Sequence, residues 1–321
     1  GAHSVRDHPS VSRLLAAFAS IYFIWGSTFL VIRFAIETVP PFFMAGIRFL
    51  SAGAILYLWA RLTGAKPPRR GHWPSAIFIG ALLFLAGNGG VTWSEQHVPS
   101  GLVALIIATI PIWMALLDWI AHGGKRPGRT MIVGLLLGVG GIALLVQPER
   151  LREGGVSPAS ALLLLVTSAC WAAGSLYSRT APHPDSPRVA AAMQLLAGGA
   201  LLIVAGFLTG EGRRFDPAGV SLRSALSIAY LSLLGSVVAF TAYIWLLKVT
   251  TAARVSTYAY VNPVVALFLG WAFGAEPLTA RTLIAALVIV VAVIVITLSS
   301  AGEAASREIE GAGVPGAETA S

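Results

Sequence analysis

Long apolar runs recur along almost the whole chain and leave few options for its fold. A transmembrane helix needs about 20 mostly apolar residues, and ten stretches meet that requirement. Hydrophobic residues make up 56% of the chain and charged residues 11%, whereas soluble domains are about 25% charged. The sequence predicts an all-α integral membrane protein with ten transmembrane helices, at about 14–36, 41–60, 74–95, 100–121, 130–147, 158–179, 188–209, 223–247, 252–274 and 279–299.

The positive charges indicate how the chain is oriented. The net charge of +8 could suggest nucleic-acid binding, but the basic residues fall in short loops, where they set topology. With the N-terminus inside, 14 of the 22 Lys and Arg residues lie on the inner side and six on the outer side. We therefore predict no nucleic-acid partner, and a membrane topology with both termini in the cytoplasm.

The two halves of the chain repeat one another. A shift of 146 residues superposes Trp25 on Trp171, and a shift of 152 superposes Pro111 on Pro263. Each half has five predicted helices, and an odd number reverses the direction of the second half in the membrane. Inverted repeats of this kind are typical of transporters. The predicted units are a first half at 14–147, a second half at 158–299 and a disordered cytoplasmic tail at 300–321.

Several polar or aromatic residues are predicted near the membrane centre. Trp25 lies about 16 Å along its helix, near the midplane of a core about 30 Å thick, and Trp171 lies at a similar depth. One interpretation is packing, with each indole N–H bonded to a neighbouring helix. The other is a substrate cavity with indole walls, to which Asn88, Tyr260 and Asn262 contribute polar groups.

The repeated prolines are candidates for a hinge or gate. Pro111 and Pro263 each fall eleven residues into a predicted helix, where a proline removes a backbone hydrogen bond and leaves a carbonyl without its donor. A membrane helix tolerates this where protein or a water-filled cavity satisfies the carbonyl. The prolines are therefore predicted to kink their helices, and a gating role is an added hypothesis.

A group of charged residues is predicted at the outer ends of the first three helices. Arg33 and Glu37 are four residues apart, and Arg48 and Glu95 are expected at a similar depth. The simplest interpretation is an ion-pair cluster at the membrane interface. The alternative is an outer gate, or a first binding point for a substrate carboxylate.

The residues missing from the centre exclude most other chemistry. None of the 14 carboxylates and none of the six histidines is predicted at the midplane, so an intramembrane zinc site, an aspartyl pair and a Ser/His/Asp triad are not expected. The chain has one cysteine and no P-loop. We predict that it is not an enzyme and that it uses neither a cofactor nor a metal.

These features together resemble the EamA-type transporters of the drug/metabolite transporter superfamily, over about residues 14–299. The resemblance rests on "WGSTFLVIR" in helix 1, "RFLSAG" in helix 2, the prolines of helices 4 and 9, and "GAEPLTART" before helix 10. It implies a carrier of the bacterial inner (plasma) membrane with a central cavity between the halves, often an exporter of amino acids or other small metabolites. Trp171 resembles the aromatic wall of the family's amino-acid exporters, whereas Ile110 stands where some relatives carry an aromatic residue.

The predicted function is export of small metabolites, above all neutral/apolar or aromatic amino acids, by alternating access through a central cavity. Its expected partners are a small-molecule substrate and the lipid bilayer; the oligomeric state stays open, and a monomer is one of the options. A facilitator is the simpler mechanism, since no carboxylate lies at the centre, although coupling through Glu95 or Asp118 stays open. The alternatives are export of drugs or other lipophilic metabolites, and a membrane sensor or scaffold that transports nothing.

Overall fold

The protein is described by a computed structural model over residues 11–122, 129–145, 156–249 and 258–295. Within these ranges the apolar stretches are helical and no β-strand forms. This confirms the predicted all-α fold class with ten transmembrane helices. The predicted tail at 300–321 lies outside the described residues.

The described ranges contain ten apolar helices. Seven of those in the described ranges are long and apolar enough to cross a membrane, and three are shorter. The helices α4 and α8 continue as helix to His122 and Val249. In chain order the helices are α1 Val11–Ala35, α2 Pro41–Leu62, α3 Arg70–Ser94, α4 Ser100–Ile120, α5 Arg129–Leu145, α6 Pro158–Ser178, α7 Pro187–Leu208, α8 Leu222–Tyr243, α9 Tyr258–Phe273 and α10 Ala280–Val295.

Two helices begin at carboxylates that come from the other half of the chain. Glu211 accepts hydrogen bonds from the first two free backbone amides of α2, those of Phe42 at 3.1 Å and Phe43 at 3.0 Å. Glu276 accepts from the first two amides of α4 at 2.7 and 3.0 Å. A helix start has amides without intrahelical partners and a partial positive charge, so a carboxylate stabilises it twice.

Three helices of the described part of the chain contain π-helical segments that their apolar patterns do not reveal. These segments are Ser20–Ile24 in α1, Ala81–Asn88 in α3 and Leu231–Val238 in α8. The latter two are both eight residues long and occupy matching places in the two halves. A π-helix bonds residues five apart, and such segments occur often at functional sites.

Helices related by the predicted repeat pack against one another. The helices α2 and α7 form the most extensive pair, and α4 packs on α9. Gly141 of α5 faces Ile289 of α10. By contrast, α1 packs on α8 and α6 packs on α3, so the first helix of each half contacts the third helix of the other. Each half therefore depends on the other for its packing.

Candidate functional site

Trp25 is bound to the π segment of α8. Its indole Nε1 donates to the backbone oxygen of Gly235 at 2.9 Å. Its ring lies 5.3 Å from the ring of Tyr243 and 5.2 Å, edge-on, from that of Tyr258. Both the polar atom and the ring of Trp25 therefore have protein partners, which join α1, α8 and α9.

Trp171 lies against the π segment of α3. A Cβ placed on Gly87 would lie 3.0 Å from Cε3 of Trp171, so only glycine allows the indole ring to approach this closely. The ring also meets Phe84 edge-on at 6.4 Å. Among the residues that the structure describes, Nε1 of Trp171 has no hydrogen-bond partner. The half-buried indole is thus held on one side and keeps its donor available.

Two of the other predicted binding residues, Asn262 and Asn88, form hydrogen bonds with backbone carbonyl oxygens of the π segments. Asn262 is buried in α9. With its side-chain amide oriented as the surrounding acceptors require, Nδ2 donates to the carbonyl oxygens of Tyr22 and Ile21 at 3.1 and 3.2 Å. These carbonyls belong to the π segment of α1, where the regular ladder is interrupted. Asn88 ends the π segment of α3, and its Nδ2 donates to the backbone oxygen of Leu83 at 3.4 Å.

The five predicted binding residues thus separate into two groups. Trp25 and Asn262 lie around α1, α8 and α9, and Tyr260 packs on the main core from α9. Asn88 and Trp171 lie on the other side, where α3 packs on α6. The structure does not bring all five residues together at one site.

The two repeated prolines differ in their local structure. In α4 the helix is interrupted between Ile107 and Ile110, and Pro111 is the second residue of the following segment, Ile110–His122. A proline is readily accommodated there, because its missing N–H would have no partner anyway. Pro263 lies inside the helix Tyr258–Phe273 and is buried. The sequence predicts such an interior helix position for both prolines.

The charged residues predicted as one cluster have different partners. Nη1 of Arg33 is 2.6 Å from Oε1 of Glu276, whereas Glu37 pairs with Arg223 at 3.1 Å near the protein surface. The reason is that α1 ends at Ala35, so Glu37 is no longer one helical turn from Arg33.

Arg48 and Glu95, the other two members, are buried and form no ion pair among the described residues.

A chain of polar contacts, not predicted from the sequence, links α8 to α1 and α2. Nε of Arg48 donates to Oγ of Ser236 at 3.1 Å. One turn away, the hydroxyls of Ser51 and Ser232 are 2.9 Å apart. The hydroxyls of Ser27 and Tyr230 are 2.8 Å apart. Within a membrane such groups need partners, and these contacts provide them between helices.

A cavity of about 550 Å³ opens at the end of the bundle where α2 ends and α7 begins. The guanidinium of Arg188 lies 5.2 Å from the ring of Trp59 and donates to Thr63 at 3.2 Å. None of the five predicted binding residues lines this cavity. The residues that line it include Leu56, Trp59, Thr63, Arg188, Phe240 and Trp245.

At the opposite end of the bundle, an ion pair and hydrogen bonds connect the helices. Here Glu276 contacts both Arg33 of α1 and the start of α4, and Glu211 holds the start of α2. Gly270 lies so close to Glu276 that any side chain would overlap the carboxylate. Glu276 belongs to "GAEPLTART", the only sequence signal that could have drawn attention to it. The described conformation thus has a cavity at one end and ionic contacts at the other.

Metal chemistry has no evident place in the described part of the chain. In the ranges 11–122, 129–145, 156–249 and 258–295, no three His, Cys, Asp or Glu side chains come together in a way that could hold a metal ion. Cys170 is a half-buried single thiol.

Comparison with known proteins agrees with this architecture. The model of the EamA-like transporter family matches twice, at residues 13–147 and 158–298. One crystal structure shares the fold at a TM-score of 0.60 with 20% identity, over 90% of this chain and 98% of its own.

Curated relatives are similar over nearly the full chain. The uncharacterized inner membrane transporter YedA of Escherichia coli (strain K12) is 39% identical over 89% of this chain and 90% of its own length. The uncharacterized transporter YvbV of Bacillus subtilis (strain 168) is 28% identical over 91% of this chain and 93% of its own. The chain therefore belongs to the EamA-like transporter family of the drug/metabolite transporter superfamily.

Proposed function

We propose that this protein exports neutral apolar or aromatic amino acids, and small metabolites like them, across the bacterial inner membrane. The inner-membrane relative YedA supports the location. The family supports a transporter, and a transporter of this kind needs no bond-breaking residues. The choice of substrate depends on the site itself.

The observation that carries the substrate assignment is the indole N–H of Trp171, which has no acceptor among the described residues. Its ring rests on Gly87 beside Phe84 and offers an apolar face. Its Nε1, which has no acceptor among the described residues, can donate to a substrate oxygen. An amino acid with an apolar side chain has groups that match both features.

Alternating access is the mechanism that this asymmetry supports. One end holds a cavity of about 550 Å³, and the other is closed by the contacts of Glu276 with Arg33 and α4. To complete a cycle, the ionic contacts must separate while the cavity end closes. The π segments of α3 and α8 lie between the two ends and interrupt the regular helix.

The direct test is release of labelled amino acids from liposomes that contain the purified protein. A panel of leucine, phenylalanine, tryptophan, glutamate and lysine separates apolar from charged substrates. We expect saturable release of the first three. Trp171→Ala should lower this release at least about tenfold, which corresponds to the loss of one hydrogen bond and part of a packing surface.

Trp271→Ala is the matched control, since Trp271 is 53% exposed and its ring lies 6.0 Å from that of Phe268. It should release the panel at the wild-type rate. Release of lipophilic drugs but of no amino acid would replace the substrate class. If correctly folded protein released neither, a sensor or scaffold would become the better assignment.

A further inference from the structure

Arg48 is a buried cation without an anion. Its side chain in α2 is 6% exposed. Its Nε donates to Ser236 at 3.1 Å, and its guanidinium lies 4.7 Å from the centre of the Phe49 ring. Among the described residues it forms no ion pair, and its two Nη groups donate to no protein atom. A buried, unpaired charge is costly and, inside a membrane protein, marks a functional position.

The guanidinium lies beside the binding point of Trp25. A Cβ on Gly235 would be 3.4 Å from Nη2 of Arg48, and the backbone oxygen of the same glycine accepts the indole N–H of Trp25. The positive charge of Arg48 therefore lies next to the glycine that anchors Trp25 on α8. The carboxylate of a small molecule would find the Nη groups of Arg48 there as donors.

Glu95 is the nearby carboxyl that could pair with Arg48 but does not. It follows the last residue of α3 and is 4% exposed. Neither of its oxygens has a donor in the described part of the chain, and the hydroxyls of Ser94 and Ser100 also lack partners there. These four oxygens are the fully enclosed side-chain N and O atoms of the described residues that have no partner; the Nη groups of Arg48 are not among them and keep some exposed surface.

Three charged groups from other elements act on Glu95: Glu276 after α9, Arg33 in α1 and Arg48 in α2. Glu276 is engaged, because it accepts from Arg33 at 2.6 Å and from the first amides of α4. Arg33 is therefore already paired, and of the two cations that act on Glu95 only Arg48 has no carboxylate partner among the described residues. Glu95 is within its electrostatic reach without forming an ion pair.

Burial without a donor favours the neutral acid at Glu95. Removal from water is the largest cause that raises the pKa of Glu95 well above its ordinary value, and the charge of Glu276 raises it further. Arg33 and Arg48 act in the opposite direction and do not compensate. With Glu95 neutral, Arg48 keeps its full capacity to bind another anion.

We propose that Arg48 binds the carboxylate of the transported metabolite, and that Glu95 competes for Arg48 when it loses its proton. The carboxylic acid of Glu95 then releases its proton to water, and the resulting carboxylate pairs with Arg48. This inference rests on the proposed transport function and adds to it that a carboxylate is the group recognised. It also makes substrate binding dependent on pH.

The direction of that dependence follows from the raised pKa of Glu95. Below this pKa the residue is neutral and Arg48 is available. As the pH rises through it, Glu95 becomes a competing anion and binding weakens. The affinity for a carboxylate ligand should therefore fall with rising pH, over a range in which the ligand itself stays ionised.

Two probes that differ in one charge test the site. Phenylacetate carries a carboxylate, and phenylacetamide replaces it with a neutral amide of similar shape. We expect the purified full-length protein to bind phenylacetate at least about tenfold more tightly, since hydrogen bonds to charged groups are stronger. Arg48→Gln should bring the two affinities together, and Arg48→Lys should keep an intermediate ratio because it keeps the charge without the planar fork.

Arg223→Gln is the matched control: Arg223 pairs with Glu37 at the surface of the same end, and its loss should leave the ratio unchanged. Glu95→Gln should remove the pH dependence while keeping the preference for the carboxylate. A wild-type protein that does not distinguish the probes, or an Arg48→Gln protein that still does, overturns the proposal.

These outcomes are independent of amino-acid release from liposomes. If the probe ratio behaves as expected but no amino acid is released, the proposed substrates are wrong and the carboxylate site stands. If amino acids are released but the ratio is absent, the proposed function stands and Arg48 has another role. If Arg48→Gln does not fold, as judged by its size-exclusion profile, Arg48→Lys and Glu95→Gln decide the matter.

Discussion

Trp25 and Trp171 occupy matching places in the two halves, yet their surroundings differ. Both lie on a glycine of an eight-residue π segment, Gly235 for Trp25 and Gly87 for Trp171. The indole N–H of Trp25 donates to the backbone, and its ring packs against two tyrosines. Trp171 has no acceptor for its N–H among the described residues, and its ring meets one aromatic side chain, Phe84 at 6.4 Å. A duplicated fold can thus use one copy of a residue for stability and leave the other for a ligand.

The largest difference should appear when each tryptophan is replaced by alanine. Trp25→Ala removes a hydrogen bond and two ring contacts and should lower the free energy of unfolding by about 3 kcal/mol. Trp171→Ala should cost clearly less, because its indole has fewer partners. Thermal unfolding of the purified variants in detergent measures both. Equal losses would mean that the two indoles are equivalent in packing.

A smaller difference is expected between the two glycines. In Gly87→Ala the new Cβ would meet the Trp171 ring at 3.0 Å and a backbone oxygen at 3.1 Å, neither of which can move easily. We expect a loss of about 2 kcal/mol from overpacking. In Gly235→Ala the nearest atoms are ends of side chains, at 3.3 and 3.4 Å, so the loss in unfolding free energy should be smaller. A greater loss for Gly235→Ala would contradict this comparison.

The smallest and most specific difference concerns the indole N–H alone. Trp25→Phe leaves the oxygen of Gly235 without its donor and should lower stability by about 1 kcal/mol more than Trp171→Phe does. Transport should respond in the opposite way, with Trp171→Phe slowing amino-acid release more. Measuring unfolding and release on the same preparations would separate the two roles. Parallel changes in both quantities would argue that neither N–H meets the substrate.

The repeat in the sequence predicted the two tryptophans but not their different roles. Counting positions along a helix locates Trp25 and Trp171 at one depth, because helix rise is constant. It gives no information on the partner that each ring meets across the bundle. Those partners are Tyr243 and Gly235 for one ring and Gly87 for the other, and they depend on helix packing.

The charged residues show the same limit. Spacing along the chain suggested Glu37 as a partner for Arg33, but the actual partner is Glu276, 243 residues away. A loop carboxylate has no periodic pattern that would connect it to a distant helix start. The π segments were also missed, because an apolar run reads alike whether its backbone bonds four or five residues apart.

The carboxylate caps have a consequence for how the protein is made. The amides at the start of α2 and α4 donate to Glu211 and Glu276, which lie 169 and 176 residues later in the chain. Both helices are therefore synthesised, and enter the membrane, well before their caps exist. The first half of the chain is not a finished unit when it leaves the ribosome, and its last hydrogen bonds form only after nearly the whole chain has been translated.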